Sequence, residues 1–270
     1  MKIGGKDFQT TGKTYIMGIL NVTPDSFSDG GQWTVLDAAL RHVEDMFAQG
    51  VDIVDIGGES TRPGFTSVSE QEEMDRVLPV IEAVKARFDL PISLDTYKSA
   101  VAREGLKAGA SLINDIWGLK HDHTMAAVIA QAGVPCCLMH NRAEANYEKF
   151  FPELLEDLRG TLSLADAAGI SRNKIILDPG VGFGQTYEQN LACLRRLPEL
   201  RRAFGLPVLL GTSRKSMIGT ALNLPVNQRL EGTLATSVMA ALFGCMFIRV
   251  HDVEANARAV RMTEAVFNGI

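Results

Sequence analysis

Three polar residues in this sequence lie at the ends of short apolar runs and suit the recognition of a flat, amide-rich heterocycle. Asp95 and Asp178 each follow such a run directly, and Asn114 is the last residue of another. A carboxylate accepts two hydrogen bonds from a ring edge that carries an N–H beside an amino group, whereas an amide both donates and accepts. Because buried polar groups reject ligands that leave them without partners, this set predicts a selective pocket.

A second group of residues has the charge that an anionic ligand requires. The segment 211–216, Gly-Thr-Ser-Arg-Lys-Ser, leads from an apolar run into a helical pattern, and backbone N–H groups at the start of a helix attract anions. Lys215, Arg249 and His251 stand at the ends of the last two runs and predict a pyrophosphate site.

Eight short apolar runs must position these residues. They are almost continuously apolar, which is typical of parallel strands buried on both faces. Amphipathic segments lie between them, and glycines such as Gly50 and Gly109 follow these segments as helix C-terminal caps do. The runs are 15–20, 52–56, 91–94, 111–114, 134–139, 174–177, 207–210 and 246–250. No G-x-G-x-x-G follows the first run, which disfavours a dinucleotide-binding sheet. We therefore expect an α/β fold, a single (β/α)8 TIM barrel over residues 1–270 as one domain, with its site at the carboxyl ends of the strands.

The composition excludes several classes of protein. The chain is 46% hydrophobic and 22% charged with a formal net charge of −5, which argues against disorder and nucleic-acid binding. No apolar run reaches the roughly 18 residues of a membrane helix, and the first residues contain no apolar signal core. We expect a cytoplasmic protein without a membrane partner. The cysteines form no C-x-x-C pair, so we expect buried thiols in a reducing compartment and no zinc site.

Seven motifs, in order from about residue 15 to residue 265, resemble those of the dihydropteroate synthases. Segment 17–31, Met-Gly-Ile-Leu-Asn-Val-Thr-Pro-Asp-Ser-Phe-Ser-Asp-Gly-Gly, resembles the first signature loop of that family. Segment 55–64, Asp-Ile-Gly-Gly-Glu-Ser-Thr-Arg-Pro-Gly, resembles the second. The shorter motifs lie at 93–96, 113–116, 177–180, 212–216 and 249–252. The two long motifs are highly specific, whereas the short ones carry little weight alone. We interpret Tyr97, which follows the first short motif, as ordinary variation.

The resemblance implies an enzyme that joins 6-hydroxymethyl-7,8-dihydropterin pyrophosphate to p-aminobenzoate, with Mg²⁺ as its cofactor, and that is a target of sulfonamides. It implies that the pterin is held by Asp95, Asn114, Ile116, Met139, Asp178, Phe183 and Lys215. It implies that the pyrophosphate is bound by Asn21, Arg249 and His251, with Asn21 also a ligand of Mg²⁺. For p-aminobenzoate and the closing loops it implies Phe27, Asp29, Thr61, Arg62, Pro63 and Ser216. The catalytic candidates are Asp95, Lys215, Arg249 and His251. The resemblance also suggests a homodimer formed through the helices around residues 187–245.

Three other functions share part of this pattern. A pterin-dependent methyltransferase, which uses a methyl folate and a corrinoid partner, has the same Asp, Asn, Asp set. It needs neither the first loop nor the Thr-Arg-Pro and Arg-Val-His-Asp segments present here. A non-catalytic paralogue that binds pterin needs no intact Lys215, Arg249 and His251. A generic phosphate-sugar barrel enzyme lacks the two long motifs.

Overall fold

A computed structural model describes residues 1–23, 32–59 and 67–269 of the chain, with the backbone alone at 32–34 and 268. Eight parallel strands form the central sheet of this described part, and two short strands form a separate antiparallel hairpin. The hairpin consists of β1 (Lys2–Ile3) and β2 (Lys6–Asp7). The central strands are β3 (Tyr15–Asn21), β4 (Ile53–Gly57), β5 (Ile92–Asp95), β6 (Leu112–Asp115), β7 (Cys136–Met139), β8 (Ile175–Asp178), β9 (Leu209–Leu210) and β10 (Phe247–Val250). Each of the eight predicted runs is confirmed as a strand.

Helices follow the strands in alternation, as the amphipathic segments predict. Those of the described residues are α1 (Gln32–Ala48), α2 (Glu70–Arg87), α3 (Ser99–Ala108), α4 (Met125–Ala132), α5 (Phe150–Ala167), α6 (Tyr187–Arg195), α7 (Leu197–Phe204), α8 (Ser216–Leu222), α9 (Leu230–Leu242) and α10 (Val253–Asn268). Within the part of the chain that the structure describes, two 3-10 turns lie at Arg172–Lys174 and Val226–Gln228. None of these described helices has the length and apolar character that crossing a membrane requires.

The central sheet closes on itself as a (β/α)8 barrel, which confirms the predicted fold. Its strands follow one another in the order β8-β7-β6-β5-β4-β3-β10-β9. A parallel bridge between Leu177 and Val208 then joins β8 to the residue that precedes β9. The ring therefore has no open edge, and all of its carboxyl ends meet at one mouth.

The core has an outer and an inner part. The outer part fills the space between strands and helices with residues such as Val54, Ile56 and Val77. The inner part joins Met17, Ile53 and other inward strand residues to Ile3 and Phe8 of the N-terminal segment. The N-terminal hairpin thus packs on the apolar amino-terminal end of the barrel. Within the described residues the four cysteines are buried and free, as predicted.

Candidate active site

The predicted heterocycle-binding residues lie in one layer at the carboxyl ends of the strands. Strand pairing places Asn21 beside Gly57, Gly57 beside Asp95, and Asp95 beside Asn114. Because alternate residues of a barrel strand point to the interior, side chains at the same level face the same mouth. Asp178 ends β8, two strands further round the ring. The predicted convergence of Asp95, Asn114 and Asp178 on one end of the barrel is therefore present.

Arg249 forms two ion pairs at this mouth. Its Nε donates to Asp55 Oδ2 at 2.6 Å, and its Nη2 donates to Asp95 Oδ2 at 2.7 Å. The Asp55 side chain has no exposed surface and that of Asp95 has 4%, so both carboxylates depend on this guanidinium for compensation of their charge. Burial disfavours the cation, but the two carboxylates more than offset that effect and raise the pKa of Arg249 above its ordinary value.

Asp95 offers a free acceptor to a ligand. Its Oδ1 is buried and has no hydrogen-bond partner among the described residues, whereas its Oδ2 accepts from Arg249. A buried acceptor without a partner is costly, so this oxygen suits an N–H of a bound ring. Burial raises the pKa of Asp95 to about 7 against the opposing charge of Arg249, and the negative charge of Asp55 adds to the rise.

Lys215 and Asp178 form the other side of the mouth. Lys215 Nζ donates to the carbonyl oxygen of Val181 and lies 4.6 Å from the ring centroid of Phe183. Asp178 Oδ1 accepts from the N–H of Gly180 at 2.7 Å. Burial raises the pKa of Asp178 and lowers the pKa of Lys215 to about 8, while each charge opposes the shift of the other. The site therefore combines acceptors for a polar ring edge with an ammonium that suits an anion.

An apolar wall borders these polar groups. Tyr97, Ile116 and Met139 form one buried cluster, and Trp117 and Phe183 pack against it. A few placed polar groups beside an apolar wall are typical of a pocket for a flat ligand. Ile116, Met139 and Phe183, which the resemblance assigns to the pterin, thus contact one another in this wall, and their contact with a pterin stays a prediction.

The ends of the last two strands, β9 and β10, lie next to each other in the ring. Ser213 Oγ lies 2.9 Å from His251 Nδ1 and accepts from the His251 backbone N–H at 3.2 Å. Strand β10 ends at Val250, and the chain bends at His251. Ser216 is the first residue of α8 and is exposed.

Known proteins are similar to this chain over nearly its whole length. A family model described as pterin binding enzyme matches residues 17–251. The dihydropteroate synthase of Clostridium beijerinckii is 55% identical over 267 residues, which are 98% of this chain and 99% of that relative. The chain belongs to the dihydropteroate synthase family.

Solved structures of family members have the same fold. A Clostridium difficile dihydropteroate synthase, solved in the presence of pteroic acid, has a TM-score of 0.93 and 51% identity, covering 95% of this chain and 98% of that one. A Yersinia pestis dihydropteroate synthase in a sulfonamide drug complex has a TM-score of 0.93 and 44% identity, covering 99% of both chains. This similarity excludes the predicted alternatives that belong to other families, the methyltransferase and the phosphate-sugar enzyme.

Several residues that the family resemblance assigns to p-aminobenzoate and the loops lie outside the described residues. They are Phe27, Asp29, Thr61, Arg62 and Pro63. Their roles stay predictions, as does the assignment of Asn21 and Ser216 to ligands.

Two residues in the mouth or directly below it were not predicted as part of the family site. Asp55 pairs with Arg249, and the sequence signal for it is a charged residue inside the apolar run 52–56, two positions before Gly57 and so on the same face. Tyr97, interpreted above as ordinary variation, contributes its ring to the apolar wall and donates its hydroxyl to Glu59 at 2.6 Å. Nothing in the run of residues around Tyr97 distinguishes it from a surface residue.

Proposed function

We propose that this protein is a dihydropteroate synthase, which condenses 6-hydroxymethyl-7,8-dihydropterin pyrophosphate with p-aminobenzoate to give 7,8-dihydropteroate and pyrophosphate. The observation that carries the proposal is the buried acceptor set of Asp95, Asn114 and Asp178 in a chain 55% identical to a dihydropteroate synthase. Two cations, Arg249 and Lys215, lie beside the acceptors. Acceptors for an electron-poor ring and cations for a leaving anion are what this reaction requires.

The pterin binds with its polar edge toward the acceptors and its faces toward the apolar wall. Asp95 Oδ1 takes a ring N–H, because this buried oxygen has no other partner among the described residues. Asp178 accepts from the opposite part of the ring. Ile116, Met139 and Phe183 exclude water from its faces. Water must be kept out because an activated pterin methylene would otherwise react with it.

The reaction breaks one bond and forms another. The C–O bond between the pterin methylene and the pyrophosphate breaks, and its electron pair leaves with the pyrophosphate. The Asp95 and Asp178 carboxylates stabilise the positive charge on the pterin, while Lys215 and His251 stabilise the negative charge on the leaving group. The aryl amine of p-aminobenzoate then forms the C–N bond, and the proton that it loses passes to the released pyrophosphate. That amine is neutral and nucleophilic at pH 7, so no strong general base is assigned.

Mg²⁺ is the proposed cofactor, and Asn21 is its proposed protein ligand. Mg²⁺ prefers oxygen ligands, keeps several waters, and is often bound through one or two protein groups together with substrate phosphates. A half-buried amide at the end of β3 fits that requirement, since the pyrophosphate supplies the other oxygens. When bound, the ion supplies positive charge to the leaving group. Among the described residues there is no group of three or more His, Cys, Asp or Glu side chains that could hold a metal alone.

The assembly and the setting are proposed from the resemblance to the same family. We propose a homodimer of single-domain protomers, each comprising residues 1–270, formed through the helices around residues 187–245. Support comes from an apolar groove between α6, α8 and α9, whose lining includes Leu191, Met217, Leu222 and Met239. The four free, buried cysteines suit the reducing cytoplasm. Because a Yersinia pestis family member binds a sulfonamide, we expect sulfonamides to compete with p-aminobenzoate here.

The test is pyrophosphate release from the pterin substrate, with and without p-aminobenzoate and Mg²⁺. We expect release that depends on p-aminobenzoate and falls when Mg²⁺ is chelated. An Asp95→Ala variant should lose turnover, because it lacks the acceptor and its charge. Absence of release from the wild-type protein, with pterin binding intact by calorimetry, would overturn the proposal in favour of the non-catalytic paralogue.

A further inference from the structure

We infer that Asp55 is a positioning residue for pterin recognition, because its buried carboxylate fixes both the Asn114 amide and the Arg249 guanidinium. The inference deepens the proposed function and rests on it. Asp55 lies one layer below the mouth, since its strand partner is Ser93 and not Asp95. It therefore acts through the groups above it and does not itself contact the substrate.

Both oxygens of the Asp55 carboxylate accept hydrogen bonds from protein donors. Its Oδ1 accepts from Ser93 Oγ at 2.5 Å. Its Oδ2 accepts from Arg249 Nε at 2.6 Å and from Asn114 Nδ2 at 3.3 Å. Asp55 has no exposed surface, and Ser93 and Asn114 are buried beside it. Such a satisfied buried group is built to orient its partners.

The contact with Asp55 decides which way the Asn114 amide faces. Only the NH₂ group of an amide can face a carboxylate, because the carbonyl oxygen and the carboxylate are both acceptors. The carbonyl oxygen of Asn114 therefore points away from Asp55, and the amide presents one acceptor and one remaining N–H to a ligand. Without Asp55 the amide can turn over and present the opposite pattern, which mismatches the same pterin edge.

Asp55 also decides how Arg249 meets Asp95. The guanidinium shares its donors between two carboxylates, so only its Nη2 contacts Asp95, through Oδ2. Asp95 Oδ1 is left without a partner among the described residues. An arginine with a single carboxylate partner prefers a bidentate pair that uses both oxygens. Asp55 thus competes for the guanidinium and keeps Asp95 Oδ1 available to the pterin.

The Asp55→Asn variant tests the inference, because it keeps the volume of the side chain and removes its charge. Calorimetry with 6-hydroxymethylpterin should show binding weakened about 10- to 100-fold, as expected when hydrogen bonds to charged groups are mismatched. The matched control is Asp52→Asn. Asp52 is a half-buried carboxylate three residues earlier that accepts from the Ile16 N–H at 2.7 Å, and this variant should bind 6-hydroxymethylpterin like the wild type.

The pH profile of kcat/KM for the pterin pyrophosphate separates positioning from a general loss of structure. The charged groups that act on Asp95 are Arg249, Asp55, Glu73, Asp115 and Lys215. Removing the negative charge of Asp55 and releasing Arg249 to a bidentate pair both favour ionised Asp95. The rising limb of the Asp55→Asn profile should therefore shift to lower pH, whereas the Asp52→Asn profile should not move.

Two results would overturn the inference. One is an Asp55→Asn variant that binds 6-hydroxymethylpterin like the wild type or whose rising limb does not shift. The other is an equal loss of binding in Asp52→Asn. A wild-type protein that binds 6-hydroxymethylpterin but releases no pyrophosphate would contradict the proposed function instead, and the binding comparison between the two variants would still decide the role of Asp55.

Discussion

Two side chains of opposite charge at the mouth have pKa values that burial moves toward each other. Burial raises the pKa of Asp95 to about 7 and lowers the pKa of Lys215 to about 8. Catalysis needs the ionised carboxylate and the protonated ammonium together. Since kcat/KM reports the ionisations of the free enzyme, its pH profile for the pterin pyrophosphate should be a narrow bell that rises near pH 7 and falls near pH 8.

The falling limb can be assigned with one conservative variant. Lys215→Arg keeps the positive charge, but a guanidinium does not lose its proton in this range. The variant should therefore keep the rising limb and lose the falling one, whatever its absolute activity. A rising limb near pH 4, where an unperturbed aspartate titrates, would show that Asp95 is not desolvated as its burial indicates.

The sequence predicts which residues reach the mouth better than it predicts their partners. Asp95, Asn114 and Asp178 follow apolar runs, and strand ends of a barrel must converge, so their proximity follows from the pattern. Arg249 was predicted to bind pyrophosphate, and its contacts in the structure are with Asp55 and Asp95. A linear pattern does not specify these pairs, because they join residues that are 194 and 154 positions apart.

At the scale of elements, a buried ion-pair network joins three parts of the chain. They are the segment after β4, helix α2 and the residue before α3. Lys98 Nζ donates to Glu59 Oε2 at 2.6 Å and to Glu73 Oε2 at 2.7 Å. Exposed fractions of the two carboxylate side chains are 3% and 1%. Lys98→Met leaves both acids without their cation and should lower the free energy of unfolding by about 3–5 kcal/mol in urea titration.

The matched control for this network is a solvated lysine pair. Lys107 Nζ lies 2.7 Å from Glu104 Oε1 on α3, with 65% and 40% of the two side chains exposed. Lys107→Met should change the free energy of unfolding by less than about 1 kcal/mol, because exposed ion pairs contribute little. Equal effects of Lys98→Met and Lys107→Met would mean that the buried network does not stabilise the barrel.

The turn after β8 depends on the absence of a side chain at Gly180. Its φ is +71°, and a Cβ there would lie 1.9 Å from the carbonyl oxygen of His140. Gly180→Ala should destabilise the fold by about 3 kcal/mol or more, through both strain and overlap. It should also displace Asp178, whose carboxylate accepts from the Gly180 N–H, so pterin binding should weaken in calorimetry.

A second glycine isolates the overlap from the backbone strain. Gly169 has a φ of +81°, but a Cβ there meets nothing within 4 Å. Gly169→Ala should cost only the strain of a left-handed alanine, about 1–2 kcal/mol, and should leave pterin binding unchanged. If the two alanine variants lose equal stability by thermal unfolding, the close approach to His140 is not what requires Gly180.

Elements differ in how well the sequence predicts them. The eight central strands are long enough, or apolar enough, for their runs to be recognised, whereas the N-terminal hairpin was missed. Its strands have two residues each, which is too short for any periodicity. The remaining signal is the pair Gly4 and Gly5, both with positive φ, which is typical of a tight hairpin turn.

At the scale of the whole molecule, the two ends of the barrel differ in the polarity of their side chains. The amino-terminal end is apolar and closed, with Ile3 and Phe8 packed on Phe247 and its neighbours. The carboxyl end holds the buried charges of Asp55 and Arg249. The amino-terminal end contributes apolar packing, whereas the carboxyl end keeps polar groups for a ligand.

The proposed homodimer makes a prediction about one face of the molecule. Leu222 on α8 and Met239 on α9 line the apolar groove and are 48% and 44% exposed. The wild-type protein should sediment as a dimer, and Met239→Glu should dissociate it, because a charge buried in an apolar interface core is costly. One control is Met262→Glu. Met262 is on α10, which packs against α9, so Phe47→Glu is added as a control remote from the groove. Phe47 is 49% exposed on α1, a helix that contributes no residue to the groove, and this variant should stay dimeric. A monomeric wild type, or dissociation by Phe47→Glu alone, would show that the groove between α6, α8 and α9 is not where two chains meet.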